Sequence, residues 1–186
     1  MMLKDYELVV TREQILEHLS LILNRLENLH GLSGKIVGIV PILNGSWFFA
    51  SDVMLLLPSI CVIEPCKVNL YGNNRHINKD RLSNIDKYFT LKPNTNALSQ
   101  CDIIFIIDDI VDSGYTLKNV KEYLKERVNC NILTLTLINI TNSEIKVCEP
   151  DYYLFEGRAE DWYFGYGMDY ENGLYRNLPF VARVVR

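Results

Sequence analysis

The sequence predicts an α/β fold, with a doubly wound and mostly parallel sheet that has helices on both faces. Three short apolar runs, at residues 36–40, 103–107 and 132–138, have the length and composition of buried strands. Helix-like periodicity follows the first two runs after turn-rich breaks. Strands that alternate with helices in this way are typical of parallel sheets. We therefore expect one domain that covers residues 1–186.

The first half of the chain opens with a predicted helix. Thr11 and Gln14 have the spacing of a capping box, and Gly31 is a suitable C-terminal stop. Between them one apolar face recurs at helical spacing, formed by Ile15, Leu19, Ile22, Leu26 and Leu29. After the first strand, residues 47–57 predict a second helix and residues 59–70 predict a further strand.

Residues 72–99 differ from the rest of the chain. They are rich in Asn, Lys, Arg, Asp and Ser, and they lack apolar periodicity until residues 88–91. A polar stretch of this length inside a compact domain is either a solvated loop or a lid that closes over a ligand, and composition favours neither. The lid hypothesis concerns residues 72–87.

The segment at residues 103–117 reads IIFIIDDIVDSGYTL, so three carboxylates, Asp108, Asp109 and Asp112, follow a buried strand. Ligands of parallel sheets bind beyond the carboxyl ends of the strands. The next turn, Ser113–Thr116, begins a helix, and its N–H groups and hydroxyls suit a phosphate. The structural alternative is an acidic strand end before an ordinary N-cap. Because like charges this close repel each other, we favour a ligand site.

Composition and charge argue against several classes of protein. The net charge is -4 and there is no basic run, which argues against non-specific binding of nucleic acid. The apolar runs are too short for a membrane span, and the start of the chain does not resemble a secretory signal. The five cysteines form no CxxC pair and indicate reduced thiols rather than a zinc site. We expect a cytoplasmic protein without nucleic-acid or membrane partners.

Three segments resemble the type I phosphoribosyltransferases. Residues 108–117, DDIVDSGYTL, are similar to the family's phosphoribosyl-pyrophosphate (PRPP) motif. Residues 40–52, VPILNGSWFFASD, and residues 161–184, DWYFGYGMDYENGLYRNLPFVARV, are similar to the pyrophosphate-loop and base-binding segments of the 6-oxopurine (hypoxanthine-guanine) branch. The segments occur in the family's order. The resemblance implies the family's sheet with a small hood built from the N- and C-terminal segments.

The resemblance also implies a reaction of purine salvage. The phosphoribosyl group of PRPP passes to hypoxanthine or guanine, which gives IMP or GMP and pyrophosphate. In this reaction the resemblance implies Asp112 as the general base, which accepts the N7 proton of the purine as N9 attacks C1 of the ribose. The resemblance implies that the ribose and its 5-phosphate bind to Asp108, Asp109, Ser113, Gly114, Tyr115 and Thr116.

The remaining contacts are implied by the same resemblance. Pyrophosphate binds to Asn44, Gly45 and Arg176. The cofactor Mg²⁺ binds to Asp108, Asp109 and Asp169. The base stacks on Trp162 and also contacts the backbone of Tyr163 and position Glu149. The family also implies a homodimer or homotetramer.

Two lysines of the family pattern are replaced in this sequence, and the replacements leave two hypotheses open. Asn44 replaces the lysine of the pyrophosphate loop, and Glu149 replaces the lysine that contacts the 6-oxygen of the purine. Lys146, three residues upstream, is one candidate to replace that second lysine. Asp112 favours a working transferase. The two departures favour a regulatory protein that binds PRPP or a nucleotide and has altered base specificity or little transfer activity.

Overall fold

The computed structural model describes residues 6–69 and 88–185. Its elements in chain order are β1 (Tyr6–Val10), α1 (Arg12–His30), β2 (Ile36–Pro41), α2 (Trp47–Leu56), β3 (Ile60–Ile63), β4 (Lys67–Val68), β5 (Phe89–Leu91), α3 (Thr95–Leu98), β6 (Ile103–Val111), α4 (Tyr115–Lys125), β7 (Asn131–Ile140), β8 (Tyr152–Gly157), β9 (Tyr163–Phe164) and β10 (Val181–Val184). The lid hypothesis falls on residues 72–87, which lie outside the described residues.

The central sheet has five parallel strands in the order β3-β2-β6-β7-β8. One of its faces packs against α1 and α2 through residues such as Leu19, Phe49 and Phe105. The other face packs against α3 and α4 through residues such as Leu98 and Leu117. Because both faces are covered, the strands read as continuous apolar runs. The predicted doubly wound α/β sheet is confirmed.

A smaller antiparallel sheet, β1-β10-β9, joins the two ends of the chain. It is the hood that the family resemblance implies. An ion-paired Arg183 on β10 binds Glu7 of β1 at 2.8 Å and Asp161, just before β9, at 2.7 Å. These contacts fix the C-terminal segment that follows β9 relative to the start of the chain.

Helix α1 begins and ends as the sequence predicts. Thr11 Oγ1 accepts from the Gln14 N–H at 3.3 Å, and Gln14 Oε1 accepts from the Thr11 N–H at 2.9 Å, so the capping box is confirmed. Gly31 ends the helix with a φ of 56°, in the left-handed region that glycine tolerates. Within residues 6–69 and 88–185, no helix combines the length and hydropathy needed to cross a bilayer.

Two strand predictions were wrong in their bounds. The strand predicted over residues 59–70 is divided into β3 and β4. Pro65 lies between them and has no N–H to donate to a neighbouring strand. Strand β6 does not end at Ile107 but continues to Val111, because pairing with β7 extends through Asp108 and Ile110. The acidic pair therefore lies in the end of the strand and not in the turn after it.

Candidate active site

The loop after β2 and the end of β6 meet at the carboxyl edge of the sheet. The Ile42 N–H donates to Ile107 O at 2.9 Å, which places the loop beside the acidic end of β6. The Leu43–Asn44 peptide bond in this loop is cis. A Cβ atom on Gly45 would overlap the carboxylate of Asp109. The predicted pyrophosphate loop and the predicted acidic pair are thus in direct contact.

The acidic pair is costly to ionise. Asp108 is only 6% exposed, and Asp109 is partly buried. Burial raises the pKa of Asp108 well above its usual range, and the neighbouring charge of Asp109 raises it further. Burial also raises the pKa of Asp109, whereas the positive charge of Arg176 lowers it. A pair in this state gains from a ligand that supplies hydroxyl donors or a cation.

The turn into α4 forms a small cavity. Its volume is about 100 Å³, and its lining includes Asp108, Ser113, Gly114 and Thr116. Gly114 is the N-cap of α4 with a φ of 77°, and a Cβ there would overlap the carbonyl of Cys148. The first N–H groups of a helix have no acceptor within the helix and carry its positive end. This cavity therefore suits a phosphate group.

Asp112 lies on the lining of the same cavity and is exposed. Its Oδ1 accepts a hydrogen bond of 2.5 Å from the Ser143 hydroxyl. Sequence reasoning missed Ser143, because no periodicity or motif links the two loops that carry these residues. The predicted base therefore lies beside the phosphate turn, and the Ser143 hydroxyl binds its carboxylate.

A second cavity of about 210 Å³ adjoins the acidic strand end. Its lining residues are Asp109, Ile110, Trp162, Tyr163, Met168 and Asp169. Ile110 also lines the cavity at the phosphate turn, so the two cavities meet at this residue. The indole Nε1 of Trp162 donates to Asp169 O at 3.4 Å. The second cavity combines aromatic surface with two carboxylates, which suits a flat heterocycle beside a charged group.

Arg176 holds the C-terminal segment against this cavity. Its guanidinium binds Asp169 Oδ1 at 2.6 Å and Gly167 O at 2.6 Å. A Cβ on Gly167 would overlap the carbonyl of Gly45, so the C-terminal segment also touches the loop after β2. The predicted residues Asp169, Arg176 and Gly45 are therefore brought together.

The two positions at which a family lysine is replaced have other partners. Asn44 Oδ1 accepts from the ammonium of Lys67 on β4 at 3.5 Å. The Glu149 carboxylate accepts from Asn139 Nδ2 at 2.8 Å and lies 3.7 Å from the ammonium of Lys146. Neither Glu149 nor Lys146 is among the described residues that line the two cavities.

This fold places a candidate phosphate site at the carboxyl edge of a parallel sheet. The chain belongs to the phosphoribosyl transferase domain family, whose pattern matches residues 11–171.

Similar proteins include two bacterial hypoxanthine-guanine phosphoribosyltransferases. The one from Streptococcus pneumoniae strain R6 is 35% identical over 79 residues, which are 42% of this chain and span only 43% of that protein. The one from Staphylococcus aureus strain Mu50 is 29% identical over 150 residues, 80% of this chain and 78% of that protein. A crystal structure of a hypoxanthine phosphoribosyltransferase from Staphylococcus aureus has a TM-score of 0.77 at 25% identity, over 96% of this chain and 92% of that chain.

Proposed function

We propose that this protein transfers the phosphoribosyl group of PRPP to hypoxanthine or guanine, giving IMP or GMP and pyrophosphate. The observation that carries the proposal is the junction of two cavities at Ile110. One cavity has a phosphate turn and is lined by Asp108, and the other has an aromatic wall and is lined by Asp109, so the acidic pair spans the two cavities. A ligand with a phosphate, a ribose and a flat base needs this arrangement. The names of the similar proteins support the same reaction.

The sugar phosphate binds where β6 ends and α4 begins. Ser113, Gly114, Tyr115 and Thr116 offer backbone N–H groups and hydroxyls to the 5-phosphate at the positive end of α4. The carboxylates of Asp108 and Asp109 accept from the ribose hydroxyls, which are donors. These hydrogen bonds favour the charged form of both carboxyl groups and offset the cost of their burial.

The pyrophosphate lies between the loop after β2 and Arg176. Asn44 and Gly45 offer backbone N–H groups, and the Lys67 ammonium beside Asn44 supplies charge where the family has a lysine in the loop. A bound Mg²⁺ would neutralise the leaving pyrophosphate. Asp109 and Asp169 line one cavity and fit the hard oxygen donors that Mg²⁺ prefers, with Asp108 adjacent. Groups of three or more candidate metal ligands are absent from the described residues, so substrate phosphates and water would complete the shell.

The purine lies in the second cavity. Trp162 offers its ring face, and stacking of a base on an aromatic side chain is worth roughly 1–3 kcal/mol. Tyr163, whose backbone is held in β9, contacts the edge of the base. Asp112 accepts the N7 proton as the N9–C1 bond forms and the bond from C1 to pyrophosphate breaks. A direct contact between Glu149 and the base stays a prediction. In the structure the Glu149 carboxylate accepts a hydrogen bond from Asn139.

We also propose that the protein is cytoplasmic. All five cysteines are free thiols, as suits the reducing cytoplasm.

We propose further that the protein forms a homodimer or homotetramer. Apolar side chains on the exposed side of α2 support this association, and they are Trp47, Phe48, Leu55 and Leu56.

A paired assay separates the enzyme from a binding module. Release of pyrophosphate from PRPP is followed with hypoxanthine, guanine and adenine, and calorimetry measures PRPP binding without a base. The proposal expects release with the two 6-oxopurines and loss of release when EDTA removes Mg²⁺. A protein that binds PRPP but releases no pyrophosphate with any base would be the regulatory alternative.

A further inference from the structure

The loop between β7 and β8, residues 141–151, is packed against the turn that carries Asp112. Three contacts hold the backbone of that turn: Lys146 Nζ donates to Val111 O at 3.2 Å, Val147 N donates to Ser113 O at 2.8 Å, and the Cys148 carbonyl packs against Gly114. A fourth contact, from Ser143, holds the Asp112 side chain. The loop therefore touches four consecutive residues, which include the predicted base.

The Lys146 ammonium uses its hydrogen bonds to hold the backbone of this turn. Besides Val111 O, it donates to Asn139 Oδ1 at 2.7 Å and to Ile140 O at 2.8 Å. An ammonium has three N–H donors, and these three oxygens can satisfy all of them. Glu149 binds the same Asn139 side chain. The backbone position of the turn is thus fixed independently of Ser143.

The contact to the Asp112 side chain differs from the other three. Ser143 Oγ is 2.5 Å from Asp112 Oδ1 and 3.4 Å from Ile140 O, so the hydroxyl proton goes to the carboxylate. Hydroxyl-to-carboxylate hydrogen bonds of this length are charge-assisted and strongly directional. Asp112 is exposed, and without a partner its carboxylate would rotate in water. The bond occupies Oδ1 and leaves Oδ2 for the substrate.

We infer that Ser143 is a positioning residue for the reaction, which orients the Asp112 carboxylate toward the purine proton. The inference rests on the proposed function, in which Asp112 is the general base. Misplacing a reacting group by about 1 Å costs up to about 100-fold in rate. Loss of one orienting hydrogen bond, with the backbone of the turn still held, is expected to lower kcat about 10-fold.

The test compares variants of the full chain in the transfer assay. Ser143→Ala is expected to lower kcat about 10-fold with the KM for PRPP unchanged, because the phosphate turn is intact. Ser143→Thr keeps the hydroxyl and is expected to restore kcat to within about 3-fold. Thr141→Ala is the control, since its side chain has no hydrogen bond among the residues that the structure describes. A purely structural effect of Ser143→Ala would raise the KM for PRPP and would not be rescued by threonine.

A double-mutant cycle makes the test specific. If Ser143 acts through Asp112, then Ser143→Ala has no further effect on kcat in an Asp112→Asn background. Equal kcat for Ser143→Ala and wild type, or a full additional loss in the Asp112→Asn background, would overturn the inference. If the wild type is active and either of these two results is found, only the role of Ser143 is contradicted and the proposed function is unaffected. An inactive wild type would overturn both.

Discussion

The Asp109 carboxylate lies so close to Gly45 that no side chain fits between them. The carbonyl of Gly45 in turn lies against Gly167, where a Cβ would also overlap. One glycine therefore joins the loop after β2, the end of β6 and the C-terminal segment. These are the three segments that carry the family resemblance, and the end of β6 and the C-terminal segment line the second cavity.

The variant Gly45→Ala is expected to weaken PRPP binding by roughly 10-fold or more. The added methyl group must displace Asp109, and overpacking of this kind costs about 1–3 kcal/mol. Calorimetry with PRPP and Mg²⁺ measures the effect. Ser51→Ala is the control, because it removes a side-chain hydrogen bond to Trp47 O within α2 and leaves the loop after β2 unchanged. Wild-type affinity in Gly45→Ala would show that the loop does not face the ligand.

The variant Asp112→Asn is expected to lower turnover by roughly 100-fold or more, the usual contribution of a general base. PRPP binding should stay within about 2-fold, because the phosphate turn keeps its backbone contacts. Steady-state kinetics and calorimetry give the two quantities. Glu144→Gln, which removes an exposed carboxylate from the loop that carries Ser143, serves as the control. Equal turnover in Asp112→Asn and wild type would remove Asp112 from the mechanism.

The raised pKa of Asp108 predicts a pH-dependent stability of the ligand-free protein. Between the ordinary carboxyl pKa of about 4 and the raised pKa of the folded state, the folded protein binds more protons than the unfolded chain. The contribution of Asp108 to stability therefore falls as the pH rises. Asp108→Asn should melt above wild type at pH 7, with a difference that shrinks toward pH 4. A constant difference across this range would contradict the burial of an ionisable group here.

The variant Glu149→Gln distinguishes two roles for this position. The structure places Glu149 with Asn139 and Lys146, and its side chain is 61% exposed. An exposed pair of this kind contributes at most about 1 kcal/mol, so we expect a slightly lower melting temperature. The KM for hypoxanthine should stay within about 2-fold. A large change in that KM at an unchanged melting temperature would instead place Glu149 in contact with the base.

The elements with strong local signals could be predicted from the sequence. The capping box of α1 and the apolar runs of β2, β6 and β7 are such signals, because local hydrogen bonds and burial on both faces determine them. The division of residues 59–70 and the length of β6 depend on pairing with distant strands. Local composition therefore could not give those bounds. The short strands of the hood carry no periodic pattern and were implied only by the family resemblance.

In the candidate site, too, the residues of one continuous segment could be predicted from the sequence, and contacts between distant segments could not. Asp108, Asp109 and the turn at Ser113–Thr116 could be placed together because one continuous segment contains them. The contact of Ser143 with Asp112 and the contact of Gly45 with Asp109 join segments that are distant in the chain. Only the packing of the loops at the sheet edge creates these contacts.

The central claim is tested most directly by identifying the nucleotide that the protein makes. Purified protein is incubated with PRPP, Mg²⁺ and an equimolar mixture of hypoxanthine, guanine and adenine. The products are separated by chromatography and identified by mass spectrometry. The account predicts IMP and GMP, with AMP absent or minor. Formation of AMP alone, or of no nucleotide by a protein that binds PRPP, would contradict it.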